Sequence, residues 1–332
     1  QLLDLYLESP TFTKKAESTK YVDKGRIERH IRPLLGKQYA DLLSPDSIRR
    51  AQNDITKGKT AIRITTKARG MAKVTGGKGT ADKAVLVLRA AYSWAVSEGL
   101  LKNNPAAPVK VDQPGQRDTI MAGAADYTRL FDVLAQMENE LRIRQPVADA
   151  IRFIALTGAR RGEVIGMIWA YVDLKAGNVT IPPNRHKTGA RTGKARIITL
   201  PAAAQAIIAR QPDGDPVDYV FRPAKGQGVL SLTKPWQQVR KEAKLPDELG
   251  LHGLRHSLAS HLAMDGASSA ELMESLGHKQ VSTTMRYVHF AEQSKSTLAE
   301  RAAATALAGL AESQGKPKAD VVPMTKKGKT AA

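Results

Sequence analysis

The chain has 332 residues, with 51 Lys and Arg against 32 Asp and Glu, a formal net charge of +19. It holds no cysteine, which excludes a disulfide scaffold, a Cys-ligated zinc finger, an iron–sulfur cluster and thiol catalysis. Hydrophobic residues make up 42%, enough to bury a core, so wholesale disorder is excluded as well. The length predicts two domains, or three. No apolar run approaches the ~20 residues of a membrane-spanning helix, and no signal-peptide pattern opens the chain. A basic surplus of this size points first to a polyanionic partner such as nucleic acid. Basicity serving only solubility is the plainer alternative.

The first hundred residues predict a helical bundle. Leu2, Leu3, Leu5 and Leu7 with Tyr6 open an apolar helix, and Tyr21, Ile27, Ile31, Leu34 and Leu35 form a looser stripe at helical spacing. Ser44-Pro45-Asp46 marks a helix start, with serine at the cap and proline at the first helical position. Between Thr56 and Thr80 stand seven basic residues, Lys57, Lys59, Arg63, Lys67, Arg69, Lys73 and Lys78, with five glycines and no acid. Such a stretch repels itself and has little to bury, so it is expected as a loop. It is either a solvated surface or a DNA-facing segment that contacts phosphates. Thr80 is expected to cap a long helix over 81–99, apolar on more than one face and therefore central to the bundle. Gly99 and Asn103-Asn104-Pro105 end it. Residues 106–120, rich in proline and small residues, read as a linker.

The second region is mixed. Helical patterns cover about 124–140 and 146–156; three short strands follow at 171–174, 178–181 and 195–200. The last two bracket a polar hairpin loop over 182–194. Helices resume at about 201–210, 231–243, 254–264, 268–276, 281–288 and 291–311. The expected fold is mainly α, with an N-terminal helical bundle over 1–105. A C-terminal α+β domain with a small antiparallel sheet spans 121–312. The tail, 313–332, is basic and expected to be disordered.

Five clusters in this region carry candidate chemistry. In Leu156-Thr157-Gly158-Ala159-Arg160-Arg161-Gly162-Glu163, Gly158 permits a tight turn, and Glu163 lies where it can brace Arg160. His186-Lys187-Thr188-Gly189 sits in the hairpin loop, where a lysine can swing into a neighbouring site; Lys194 is close by. His252 and Arg255 in His252-Gly253-Leu254-Arg255-His256 share one helix face and could clamp a phosphate. His252 and His256 also have the spacing of a zinc pair. However, glycine replaces the glutamate of an H-E-x-x-H site, and no third ligand stands out, so no metal is expected. Leu276-Gly277-His278 and Thr284-Met285-Arg286-Tyr287-Val288-His289 complete the set. Taken singly, each cluster has an ordinary reading as exposed helix starts, solvated loop lysines or packed rings.

In this order and spacing the clusters resemble the tyrosine site-specific recombinase (phage integrase) family. The family pattern is T-G-x-R-x-x-E, a lysine on a β-hairpin, H-x-L-R-H, L-G-H, then a tyrosine nine residues on followed by x-H. Residues 91–105 (AYSWAVSEGLLKNNP) are similar, more weakly, to the end of the family's core-binding domain. The resemblance implies the DNA breaking-rejoining enzyme fold: a core-binding domain over 1–105 and a catalytic domain over 121–312, closing around duplex DNA. It implies that Tyr287 attacks the scissile phosphodiester to give a 3′-phosphotyrosine and a free 5′-hydroxyl. Arg160 and Arg255 would bind the nonbridging oxygens, Lys187 would protonate the leaving 5′-oxygen, and His252 would serve as base. His278 would donate to the phosphate and Glu163 would orient the arginines. No metal, nucleotide or other cofactor is implied, and no G-x-x-x-x-G-K-[ST] loop is present.

The implied partners are duplex attachment sites and three further copies of the chain, in a tetramer whose C-terminal helix docks in trans. Accessory DNA-bending or directionality factors are implied as well. The implied role is integration or excision of a mobile element in a bacterial or phage-infected cytoplasm, at the nucleoid, with no membrane. A relaxase resembling type IB topoisomerases and a non-catalytic DNA-binding protein on the same fold are the alternatives. Many members carry a preceding arm-site domain. Nothing in this chain matches one, and the start at Gln1 is expected to reflect its removal.

Overall fold

The computed structural model describes residues 1–67, 70–112, 119–186, 189–224, 228–277 and 284. The chain divides into two units, Gln1–Arg117 and Asp118–Ala332.

Unit 1 is a helical bundle carrying a β-ribbon. Helices α1 (Leu2–Glu8) and α2 (Pro10–Thr13) lead to α3 (Glu17–Arg26), which runs through a π-helical turn, Ile27–Ile31, into α4 (Arg32–Leu35). Pro33 offers no N–H to the carbonyl of Arg29, which removes one α-type bond beside that turn. Helix α5 (Pro45–Thr56) starts as predicted: Ser44 caps it by accepting from the Ser47 N–H at 3.1 Å. Helix α6 (Lys78–Ser97) is the central element. Its Val85, Leu88 and Tyr92 are buried against Tyr6, Ile27 and Ile48, in keeping with its two-faced apolar pattern.

Three expectations for this unit need correction. Thr80 does not cap α6; the helix begins at Lys78 with Gly77 as its cap. The basic stretch is not a loop. It folds as an antiparallel ribbon of β1 (Ile62–Lys67) and β2 (Gly70–Val74), because Ile62-Arg63-Ile64 already alternates with the period of a strand. The first part of the expected linker packs against the bundle: Ala106 and Val109 are buried, and Arg89 donates to the Ala106 carbonyl at 3.1 Å and the Val109 carbonyl at 2.6 Å.

Unit 2 contains α7 (Ala124–Asn139), α8 (Gln145–Thr157), α9 (Arg161–Ile165), β3 (Val172–Asp173), β4 (Asn178–Ile181), α10 (Gly189–Thr192), β5 (Arg196–Thr199), α11 (Ala202–Ala209), α12 (Thr233–Glu242), α13 (Leu251–Met264) and α14 (Ser269–Leu276). The three strands form an antiparallel sheet in the order β3-β4-β5. The expected hairpin loop is partly helical: a 3-10 turn, Pro183–Arg185, and α10 interrupt it. Helix α8 is the core element. Ile151, Phe153 and Ile154 are fully buried, each worth roughly 1.5–3 kcal/mol of apolar transfer. Its buried Asp149 accepts from Arg210 Nε at 2.7 Å and Gln211 Nε2 at 2.6 Å, tying α8 to the end of α11. Helix α13 crosses α8 and is held by Ser257, whose hydroxyl accepts from the Met121 N–H at 2.8 Å and donates to the Gly253 carbonyl. The helices expected at 281–288 and 291–311, and the tail, lie outside the described residues apart from Thr284, which is buried. Among the described residues no helix is long and apolar enough to cross a membrane.

Candidate active site

The first half of the site is built where α8 stops. Gly158 ends the helix in the left-handed region, at φ 62°. A side chain there would be strained, and its Cβ would come within 2.9 Å of Leu258. This turn delivers Arg160 as the cap residue of α9. Glu163, one turn on, folds back onto it. One carboxylate oxygen accepts from the Arg160 N–H at 2.9 Å and the other from its Nη1 at 2.8 Å. A single carboxylate therefore fixes both the backbone and the guanidinium of Arg160. Glu163 is 4% exposed and Arg160 28%, so the brace is inside and the cation faces outward. The bracing expected of Glu163 is present in this geometry.

The second half comes from α13. Arg255 is only 2% exposed. Its Nη1 donates to the Gly158 carbonyl at 2.6 Å, and its Nη2 donates to the Leu276 carbonyl. Both acceptors sit at helix C-termini, where unpaired carbonyls carry partial negative charge. Arg255 thus joins the ends of α8 and α14, and its burial is compensated by the groups it touches.

His252 lies in the first turn of α13, its ring edge-to-face with that of His256 at 4.6 Å between centroids. One edge of the ring reaches solvent, while protein atoms crowd its other sides. Burial, then the charges of His256, Arg255 and Arg160, push its pKa from the usual 6.5 down to about 4. The imidazole is therefore neutral at pH 7, the state a base requires. Because its folded pKa lies below the unfolded value, the unfolded chain takes up the proton first as pH falls. The stability that a neutral His252 contributes is present above pH 6.5 and is lost as pH falls toward about 4. An NMR titration of the His252 ring is expected to give a midpoint well below 6.5; a midpoint at or above that value contradicts this electrostatic picture. Among the described residues no group of three or more His, Asp or Glu side chains could hold a metal ion.

A third arginine, Arg196, belongs to this cluster and was not singled out from the sequence. It stands on β5 opposite Ile181, on the inward face with Ile198. Its Nη2 donates to the Ser275 carbonyl at 3.0 Å and its Nη1 reaches that of Glu274 at 3.4 Å. Burial lowers its pKa, Glu163 raises it and Arg160 lowers it, which places it in the same field as the Arg160–Glu163 pair. The last carbonyls of α14 are thus held by two buried guanidiniums, Arg196 at 274 and 275 and Arg255 at 276. Gly277 then turns the chain with φ 61°. A signal was legible in the sequence: a strand alternating Arg196-Ile197-Ile198-Thr199 puts a cation at an inward position, which demands a buried acceptor.

Arg160, Glu163, His252 and Arg255 are therefore brought together from two distant segments. Lys187, His278 and Tyr287 lie outside the described residues. The alternative lysine, Lys194, is exposed, and its carbonyl lies 3.1 Å from the His186 Nε2, so the ends of the hairpin loop are drawn close. Among the basic residues of unit 1, Lys59 pairs with Asp54 at 2.7 Å and Lys78 pairs with Asp112. Lys57, Arg63 and Lys73 are exposed, and among the described residues none has a carboxylate partner. Arg69 and the side chain of Lys67 lie outside the described residues.

Two helix ends bridged by a buried arginine, beside a carboxylate-braced arginine and a neutral histidine, form a cationic site built to hold an anion. Residues 124–294, half of the chain, match the model of the Phage integrase family, and the chain belongs to that family. It is 26% identical over 270 residues to tyrosine recombinase XerD of Mycobacterium leprae, covering 76% of this chain and 81% of that protein. It is 25% identical over 207 residues to tyrosine recombinase XerC of Xanthomonas campestris, covering 60% of this chain and 61% of that protein. Among solved structures, a lambda integrase dimer bound to a COC′ core site shares the fold with a TM-score of 0.64 and 18% identity, over 86% of this chain and 94% of that one. The Tn1549 transposon integrase in complex with transposon right end DNA does so with a TM-score of 0.66 and 16% identity, over 91% of this chain and 99% of that one.

Proposed function

We infer that the protein is a site-specific DNA recombinase that cleaves and rejoins duplex DNA through a covalent 3′-phosphotyrosine, in the integration or excision of a mobile element. The observation that carries this reading is the convergence of Arg160, Arg255 and neutral His252 in a chain of the Phage integrase family. In the proposed step the Tyr287 hydroxyl oxygen forms a bond to phosphorus as the bond from phosphorus to the 5′-oxygen breaks. The phenolic proton leaves toward the neutral His252, and Lys187 supplies one to the departing 5′-oxygen. Arg160 and His278 donate to the nonbridging oxygens, and Arg255 sets the cationic field in which their charge grows. One phosphate ester replaces another, so the reverse step reseals the strand without ATP. No step is assigned to a metal.

A lambda integrase tetramer bound to a Holliday junction is among the solved structures with this fold, at a TM-score of 0.62. It supports assembly of four copies on two DNA sites as the working form here, with the segment after 290 docking in trans. Lys57, Arg63 and Lys73 support a phosphate-contacting role for unit 1.

The test uses a suicide duplex, nicked so that cleavage traps the enzyme, built on the sequence that the full chain selects from a randomised pool. Wild type is expected to form a covalent protein–DNA adduct and Tyr287→Phe none. An adduct with the phenylalanine variant shows that the nucleophile is another residue. Relaxation of supercoiled plasmid with no recombinant product identifies a relaxase instead.

A further inference from the structure

The ribbon of unit 1 has two unlike faces. Its register pairs Ile62 with Val74, Arg63 with Lys73, Ile64 with Ala72 and Thr65 with Met71. Side chains alternate across a strand, so Ile62, Ile64 and Val74 share one face, while Arg63, Thr65, Met71 and Lys73 share the other. Ile64 and Val74 are half-buried. Every residue of the second face is exposed, Met71 at 69%.

That second face is costly to the fold. Arg63 and Lys73 stand directly opposite each other, and like charges at paired positions destabilise a ribbon. Lys59 and Lys78 have acidic partners nearby, whereas among the described residues no carboxylate relieves Arg63 or Lys73. A two-stranded ribbon is marginal in water to begin with. A cationic face with a methionine and a threonine set between the charges has no use in the bundle core, and its charge is complementary to a polyanion.

The dimensions select the form of that polyanion. Two strands about 4.8 Å apart, with their side chains, suit a major groove about 12 Å wide rather than a minor groove of about 6 Å. We propose that the Arg63–Lys73 face of the β1–β2 ribbon lies in the major groove of duplex DNA, the two cations reaching guanine edges and Thr65 and Met71 packing on thymine methyl groups. This rests on the recombinase reading and adds base recognition to it, where the sequence alone suggested only phosphate contact. Arginine and lysine donate to the O6 and N7 acceptors of guanine, and apolar or threonine side chains meet the thymine methyl group.

The experiment compares the full-length wild type with Arg63→Ala/Lys73→Ala on a duplex selected by wild type from a randomised pool, with guanine N7 methylation interference as the readout. Wild type is expected to be blocked by methylation at one or two guanines. The double variant is expected to bind that duplex at least about tenfold more weakly, to lose sensitivity at those guanines, and to keep or raise its thermal midpoint, since a like-charge pair is removed. Unchanged affinity with an unchanged methylation pattern overturns the proposal. Weaker binding with an unchanged pattern overturns it too, because the ribbon then touches only phosphates. Adduct formation by wild type on the suicide duplex is scored separately. Its absence brings down the recombinase reading, whereas its presence with an unaltered variant footprint brings down only the ribbon.

Discussion

Replacing Arg255 by alanine is expected to lower strand cleavage by about 10²–10³-fold, the usual cost of deleting one preorganised donor to a developing oxyanion, and to destabilise unit 2 at the same time. The second effect follows from where the guanidinium is spent. It bridges the carbonyls of Gly158 and Leu276 inside the protein, and each buried acceptor left without a donor costs about 1–3 kcal/mol. Arg255→Lys is expected to recover little of either loss. An ammonium keeps the charge but is a point donor, and it cannot reproduce a planar fork aimed at two carbonyls on different helices. Cleavage of the suicide duplex, read beside the thermal midpoint, checks both claims. A lysine variant with near-native cleavage would show that charge alone suffices at this position.

The second large effect is expected from residues that would not touch DNA. Arg196→Met removes the donors to the carbonyls of Glu274 and Ser275 and is expected to slow cleavage about 10–100-fold, the range seen when groups that orient reactive ligands are lost. Duplex affinity should change little, because Arg196 is buried. Gly277→Ala is expected to have a similar outcome by a different route. Its Cβ would overlap the Arg196 guanidinium, and the left-handed backbone at φ 61° costs a side-chain-bearing residue roughly 1–2 kcal/mol. Arg196 is a positioning residue for the segment that begins with His278. If so, His278→Ala should cost much less in the Arg196→Met background than in wild type. Strict additivity of the two losses would reduce Arg196 to a stabilising residue.

The difference between these two arginines shows how far the sequence could be read. Arg255 was recognisable from its place in His252-Gly253-Leu254-Arg255-His256, because short-range spacing on a helix decides which face a residue occupies. Its burial and its two carbonyl acceptors were not recognisable, since they come from positions 158 and 276. Arg196 sat in a correctly expected strand, and the inward place it takes there follows from alternation. What it holds, however, is 79 residues away. Spacing patterns carry no information about such pairs.

The ribbon went wrong at the sequence stage of reasoning for a related reason. Seven cations and five glycines over residues 56–80 outweighed a short alternation that began at Ile62. Charge density argues for solvent exposure and says nothing about whether the exposed backbone pairs with itself. Exposed it is at Arg63 and Lys73, yet as an ordered ladder. Lys59 and Lys78 show the converse: a stretch without acids still finds them, at Asp54 and Asp112, once the chain folds back.

By itself, then, the sequence determined what depends on neighbours along the chain. Ser44 and Pro45 start a helix, Gly158 and Gly277 end two others, and Ser268 with Glu271 closes a reciprocal cap at the start of α14. The two-faced apolar pattern of α6 and the Thr157–Glu163 and His252–His256 clusters were equally plain. Only the tertiary structure decided which helix ends meet, which arginine is spent on carbonyls and which faces outward, and that a neutral histidine sits among them. Local preferences are set by backbone and side-chain sterics within a few residues. The charge state and orientation of a buried group are set by atoms that arrive from anywhere in the chain.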